Sequence, residues 1–300
     1  MTHKNTVAVF GLGAMGYGMA QSCVSAGLVT YGFDIVPDQA KRLANEGGKV
    51  ADLADVAASL DAAAIVVLNA AQSEDVLFGA NGLVEQMRQG SVILACATVP
   101  PEFARKMEAR CAKHGVLYLD APISGGSVKA ANGQLSVMAS GSAQAFDGAK
   151  VMLDAMAQTV FELGDSAGAG SAMKAVNQLL AGVHIATMAE ALTFGMTQGV
   201  EPAKFVDVIS KCAGTSWMLE NRAPHIVEGD YTPFSQVNIW PKDLGIVLDI
   251  AESAQFDAPI TKAALQQYLE AREMGLGGED DAAVAKVYAR KSGLTLPGEA

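Results

Sequence analysis

The sequence predicts an α/β domain built on a mainly parallel sheet, followed by an all-α domain, the two joined by one long interdomain helix. Three observations carry that prediction. Short apolar, β-branched runs alternate with helical stretches through the first half, the pattern of a parallel sheet covered on both faces. Strand signals nearly vanish after Gly168. Ser171–Gln198 then contains no proline and reads as one helix, longer than an ordinary one. The domain boundary is expected near Leu163–Gly168, giving domains at 1–165 and 166–300.

The elements follow in order. Thr6–Phe10 (TVAVF) is a buried strand, and Ala14–Ala26 a helix that Gly27 can stop. Leu28–Phe33 is a second strand. Pro37–Glu46 is a helix with proline in its first turn. Ala63–Leu68 and Ser91–Ala95 are further strands, Pro100–His114 a helix and Val116–Asp120 a strand. Leu135–Ser140 and Gln158–Leu163 are strand candidates on either side of a helix at Ala143–Met156. After the long helix come helices at Pro202–Cys212, Trp217–Glu228, Pro241–Ser253, Ile260–Met274 and Ala282–Ser292. Glu279-Asp280-Asp281 reads as the cap and dipole partner of the last of them.

Composition narrows the function. The chain has 300 residues, too many for one minimal core, and half of them are hydrophobic, which argues against disorder. Its 21 Lys+Arg face 32 Asp+Glu, a net charge of −11. An acidic surface repels phosphate backbones, so no nucleic-acid partner is expected. The longest uninterrupted apolar run, Ala62–Leu68, is short for a bilayer span, so no membrane partner is expected. No signal-peptide core follows Met1, and Cys23, Cys96, Cys111 and Cys212 form no CxxC pair. A reduced, cytoplasmic setting fits. The four histidines are scattered, and no metal site is expected.

The chemistry sits in a few segments. Gly11-Leu12-Gly13-Ala14-Met15-Gly16 is a G-x-G-x-x-G string between a strand and a helix, the context that turns a weak motif into a Rossmann-type dinucleotide fingerprint. Gly11 allows the tight turn, Gly13 lets a pyrophosphate approach the backbone, and Gly16 lets helix and strand pack. Asp34 ends the second strand 18 residues after Gly16. A carboxylate there accepts both ribose hydroxyls and repels a 2′-phosphate, and no arginine follows at once. The cofactor expected is NAD. Leu68-Asn69 and Thr98 close two later strands, where ligands bind in open sheets; a polar strand-end cap is the plainer alternative. Ser124-Gly125-Gly126 offers a hydroxyl and bare backbone N–H groups, suited to a carboxylate, although such a turn is often only a loop. Lys174, Asn177 and Gln178 share one helix face in apolar surroundings. Desolvation there favours the neutral amine that a proton shuttle needs, unless the lysine reaches out to water. Lys242-Asp243 follows Trp240-Pro241 at a helix start, with Asp243 as the helix's N-terminal charge partner.

In this order the motifs resemble the β-hydroxyacid dehydrogenase family, which includes 3-hydroxyisobutyrate dehydrogenase and tartronate semialdehyde reductase. GLGAMGYGM at Gly11–Met19, DAPISGG at Asp120–Gly126, GAGSAMKAVNQ at Gly168–Gln178 and KDL at Lys242–Leu244 carry the resemblance over nearly the whole chain. It implies Lys174 as the catalytic acid/base, Ser124, Gly125 and Gly126 on the substrate carboxylate, and Asn177 and Gln178 orienting the substrate. It places Thr98 and Lys242 by the cofactor. It also implies a homodimer or homotetramer. Gln178 departs from the asparagine many members carry, and Asn177–Ala186 looks more like the family's L-threonate dehydrogenase branch. His184 falls ten residues after Lys174, about 80° around the helix and ~15 Å along it, and reads as structural. Two alternatives stay open: another acid of the same family, and a non-catalytic NAD-binding sensor.

Overall fold

The computed structural model describes residues 5–299. Contacts divide the chain into two compact units, the first ending at Lys174 and the second starting at Ala175.

The first unit begins with β1 (Thr6–Phe10), α1 (Ala14–Ser25), β2 (Val29–Phe33), α2 (Pro37–Asn45) and α3 (Leu53–Val56). It continues with β3 (Ala62–Ile65), α4 (Ala70–Phe78), α5 (Leu83–Gln86), β4 (Val92–Ala95), α6 (Pro101–Ala112) and β5 (Leu117–Asp120). Five parallel strands stand in the order β2-β1-β3-β4-β5. Register runs Thr6 to Val29, Val7 to Ala62, Ala62 to Val92 and Val92 to Leu117. Strand residues alternate between the two faces. Val7, Val9, Leu94 and Leu119 pack with Met19, Cys23, Met152 and Met156 on one face. Ala8, Phe10, Ile65 and Ile93 pack with Leu77, Met107 and Tyr118 on the other. Every residue of β3 and β4 is buried, which is why these strands read as continuous apolar runs. The chain order reverses at β1, between β2 and β3, so the ligand crevice of such a sheet opens at the carboxyl ends of β1 and β3.

Beyond β5 lie β6 (Ile123–Ser124), α7 (Gly126–Ala131), β7 (Leu135–Ala139), α8 (Ala143–Met156) and β8 (Ala157–Glu162). The expected strands at 135–140 and 158–163 do not extend the parallel sheet. They form a separate three-stranded sheet, β6-β7-β8, with β6 antiparallel to β7. Pro122 explains the break. It has no N–H for the ladder, so the chain turns, and its carbonyl instead accepts from Met138 N–H at 2.9 Å.

Ala63–Leu68 was expected to be strand throughout, yet β3 stops at Ile65. Val66–Leu68 leave the sheet beneath the glycine turn, where a Cβ on Gly11 would stand 2.4 Å from the Val66 carbonyl. Helices α3, α4, α5 and α7 lie in segments where the sequence predicts none.

A 29-residue helix, α9 (Ala169–Thr197), opens the helical half and crosses the unit boundary. By length and composition it could span a membrane, although no uninterrupted apolar run reveals this in the sequence. After it come α10 (Pro202–Ile209), α11 (Trp217–Glu228), α12 (Ile239–Ser253), α13 (Pro259–Glu273) and α14 (Ala285–Ser292). Their core holds Ile185, Met188, Leu192, Phe205, Trp240, Leu244, Tyr268 and Val287. The last expected helix is split, because Asp281–Val284 form a tighter 3-10 turn before α14. Asp280 caps that turn, accepting from Ala282 N–H at 3.0 Å. Asp281 is not a cap. It is wholly buried, accepting from Arg222 Nε at 2.5 Å and from Trp240 Nε1 at 3.0 Å.

Candidate active site

The glycine turn meets the test of a dinucleotide cradle. Gly11 has φ +90°, which a side chain would strain, and a Cβ on Gly16 would fall 1.9 Å from the Gly11 carbonyl. Packing within the protein therefore demands both glycines. Gly13 differs: a Cβ there would meet no protein atom within 4 Å, and its φ of −68° suits any residue. Packing within the protein therefore does not require a glycine at that point. It is the N-cap of α1, whose first turn holds no acidic residue and receives no side-chain cap. Those N–H groups and the positive helix end suit a pyrophosphate. A cavity of about 410 Å³ opens beside this turn, lined by Leu12, Gly13, Ala14, Tyr17 and Arg42 among others.

Asp34 follows β2, with one carboxylate oxygen 2.6 Å from Leu12 N and the other 2.8 Å from Val36 N. The aspartate therefore braces the glycine turn from below. Each oxygen has a further lone pair for a hydroxyl. Asn69 closes no strand. It is the N-cap of α4, accepting from Gln72 N–H at 2.9 Å, and Leu68 N–H donates to Gln72 Oε1 at 2.9 Å. Thr98 lies half-buried beyond β4.

Ser124 ends β6, and the next two residues, Gly125 and Gly126, have φ +136° and +81°. Both values lie in the positive-φ region that L side chains rarely adopt, and glycine is the residue that adopts it at little cost. Lys174 is buried, and its Nζ donates to the Ile123 carbonyl at 2.8 Å. The amine thus stands one residue from the Ser124–Gly126 turn.

In the second unit Gln178 is buried. It donates to Asp243 Oδ2 at 2.5 Å and accepts from Asn177 Nδ2 at 2.9 Å. Asp243 also pairs with Lys242 Nζ at 2.6 Å. The expected role of Asp243 at a helix start does not hold. α12 begins earlier, at Ile239, and Asp243 is a buried residue of its second turn. A chain of polar contacts therefore runs Lys242–Asp243–Gln178–Asn177.

Residues 6–164 match the family described as the NAD binding domain of 6-phosphogluconate dehydrogenase. Residues 168–288 match the NAD-binding region of NADP-dependent 3-hydroxyisobutyrate dehydrogenase. The L-threonate dehydrogenase of Cupriavidus necator is 48% identical over 298 residues, covering 99% of both chains. That of Haemophilus influenzae is 45% identical over 300 residues, again 99% of both. A crystal structure named as 3-hydroxyisobutyrate dehydrogenase from Salmonella typhimurium superposes with TM-score 0.90. Its identity is 44%, over 95% of this chain and all (100%) of that one. The chain is an NAD-dependent dehydrogenase of the β-hydroxyacid family.

Two features of this dehydrogenase escape sequence reasoning. Asp243 and Asp281 look like helix-end acids but are buried, Asp243 bonded to Gln178 as well as to the adjacent Lys242 and Asp281 to Arg222. Burial pushes the Asp281 carboxyl up to about 6, against the pull of the neighbouring Arg222. Burial likewise pushes Cys23, Cys96 and Cys111 up to about 12, as inert interior thiols require.

Proposed function

We propose that this dehydrogenase oxidises L-threonate at C2 to 2-oxo-tetronate, with Lys174 as the general acid/base. The observation that carries the mechanism is the buried Lys174 amine held beside the Ser124–Gly126 turn through Ile123. Gly11 to Gly16 and Asp34 hold the cofactor, with Leu68, Asn69, Thr98 and Lys242 as its further neighbours. NAD supplies the hydride acceptor when bound. Ser124 and the N–H groups of Gly125 and Gly126 take the substrate carboxylate, which aims the neighbouring carbinol carbon. Lys174, as the neutral amine, takes the hydroxyl proton as C2 becomes a carbonyl. In reduction the ammonium returns that proton to the carbonyl oxygen. Asn177 is oriented by Gln178, and Gln178 by Asp243, so the longer amide acts on the substrate through its neighbours as well as by contact.

The substrate rests on the full-length likeness to two L-threonate dehydrogenases. A second reading, 3-hydroxyisobutyrate or tartronate semialdehyde as substrate, is favoured by the name of the Salmonella structure at similar identity. NADH formation from NAD with L-threonate, D-threonate, D-erythronate, 3-hydroxyisobutyrate, D-glycerate and L-serine separates them. Strong turnover on L-threonate alone is expected. Preference for a three-carbon or branched acid overturns the substrate and keeps the mechanism. NAD binding with silence on every acid favours the sensor. Lys174→Ala is expected to remove most of kcat while NAD still binds, and near-parental turnover would refute its role.

A further inference from the structure

The carboxylate of Asp120 is used by none of the steps above. It stands at the end of β5, wholly buried. Its Oδ2 accepts from the backbone N–H groups of Gly168 at 2.9 Å and Ser171 at 2.8 Å, and from Ser140 Oγ at 3.4 Å. Its Oδ1 accepts from Ser171 Oγ at 2.7 Å. The Ser140 hydroxyl in turn accepts from Gly170 N–H at 2.9 Å. The first turn of a helix has N–H groups with no partner inside the helix and carries the positive end of its dipole. Here they are gripped by a side chain about 50 residues earlier in sequence, on the strand end beside the helix.

The fit leaves no slack. A Cβ on Gly170 would stand 2.5 Å from the Met138 carbonyl and 2.7 Å from the Asp120 carbonyl. The start of α9 therefore lies directly on the backbone of β5 and β7. Lys174 follows Ser171 by three residues, on the same face of the helix. Its amine reaches the carbonyl of Ile123, three residues after Asp120. The stretch 120–123 thus holds α9 twice, by a carboxylate at the first turn and by a carbonyl at the lysine.

We propose that Asp120 is a positioning residue for Lys174. Its carboxylate fixes the rotation and axial position of the first turn of α9, and so fixes where the lysine amine stands beside the Ser124–Gly126 turn. This rests on the reading of Lys174 as acid/base. An amide of the same shape offers one acceptor oxygen where the site uses two, and it removes the negative charge that the helix N-terminus faces. A displacement of about 1 Å of a reacting group costs on the order of 100-fold in rate.

The test compares Asp120→Asn, Ser171→Ala and Lys174→Ala with the parent. It reads kcat and KM for the acid identified above, NAD affinity and thermal stability. Asp120→Asn is expected to lower kcat about 100-fold, with KM and NAD affinity nearly unchanged. Ser171→Ala, which removes one of the bonds, is expected to lower kcat about 5-fold. Where Asp120→Asn does not fold, Ser171→Ala decides in the same way. A lowered melting temperature with kcat at the parental value overturns the proposal and leaves Asp120 as a plain anchor. Parental turnover in Lys174→Ala is a different failure: it removes the lysine reading first, and this proposal with it.

Discussion

At the scale of single residues, Asp34 braces the glycine turn, and the proposed function gives the same carboxylate a second role toward the cofactor. It accepts from Leu12 N–H and Val36 N–H, and in the proposed reading that turn takes the pyrophosphate while the carboxylate charge opposes a 2′-phosphate. Asp34→Ala is expected to raise the NAD dissociation constant about 10- to 100-fold, the loss of one or two charge-assisted hydrogen bonds. The same variant is expected to narrow the preference for NAD over NADP. Titration calorimetry with both cofactors checks this, and an unchanged ratio of affinities would remove Asp34 from cofactor choice. The place of Asp34 beside the glycine turn was legible in the sequence because its signal is local: a motif, a strand and a fixed spacing. The places of Asp243 and Asp281 were not. Gln178 lies 65 residues from Asp243 and Arg222 lies 59 from Asp281, and nothing near either acid in the sequence separates a buried carboxylate from a helix-end charge.

Elements were readable where their pattern was long and their ends marked. Pro37 and Pro101 start helices, and β1 and β4 are unbroken apolar runs, so these boundaries stand within a residue or two. The misses have physical causes. α4 begins at an asparagine cap that reads as the end of a strand, and β3 is cut short by the close pass of Val66 under Gly11. Close packing between elements is equally invisible in one dimension. Gly182 of α9 would place a Cβ 2.8 Å from the Trp240 ring and 2.9 Å from Leu244. Trp240 cannot easily retreat, being stacked on Tyr268 at 5.7 Å and bonded to Asp281. Alanine gains about 1 kcal/mol of helix propensity, and overpacking costs about 1–3 kcal/mol, so the second effect wins. Gly182→Ala is expected to destabilise by about 1 kcal/mol. Gly245→Ala in α12, with nothing within 4 Å of its Cβ, is expected to stabilise by ~0.5–1 kcal/mol. Urea unfolding of both variants decides, and a Gly182→Ala protein as stable as its parent would show that the ring yields.

Over the whole molecule, the fold class was readable because both faces of the sheet are covered, which fills β3 and β4 with apolar residues. The second sheet was not, since only Pro122 marks the break. The balance of charge has a consequence for stability that the buried acids sharpen. Asp281 titrates near 6 in the folded protein against an ordinary 3.8, because burial disfavours its charge. The folded state therefore binds the proton more tightly than the unfolded chain. The stability this contributes is complete below about pH 4 and is lost as pH rises through about 6. Asp120, also raised by burial, acts in the same direction. Asp207 acts oppositely: its two lysine partners lower it to about 2, so its contribution is lost as pH falls below its ordinary value. That carboxylate is exposed, and salt screens it, whereas the buried acids are screened far less. In moderate salt, melting temperature is expected to fall between pH 4.5 and 6.5. Asp281→Asn removes one titrating group and leaves Arg222 only its longer pairing with Asp280 at 3.9 Å, so its stability is lower throughout. The informative quantity is the slope, which flattens across that interval if Asp281 carries the effect. An unchanged slope in Asp281→Asn would assign the trend to Asp120 or to the net charge of −11.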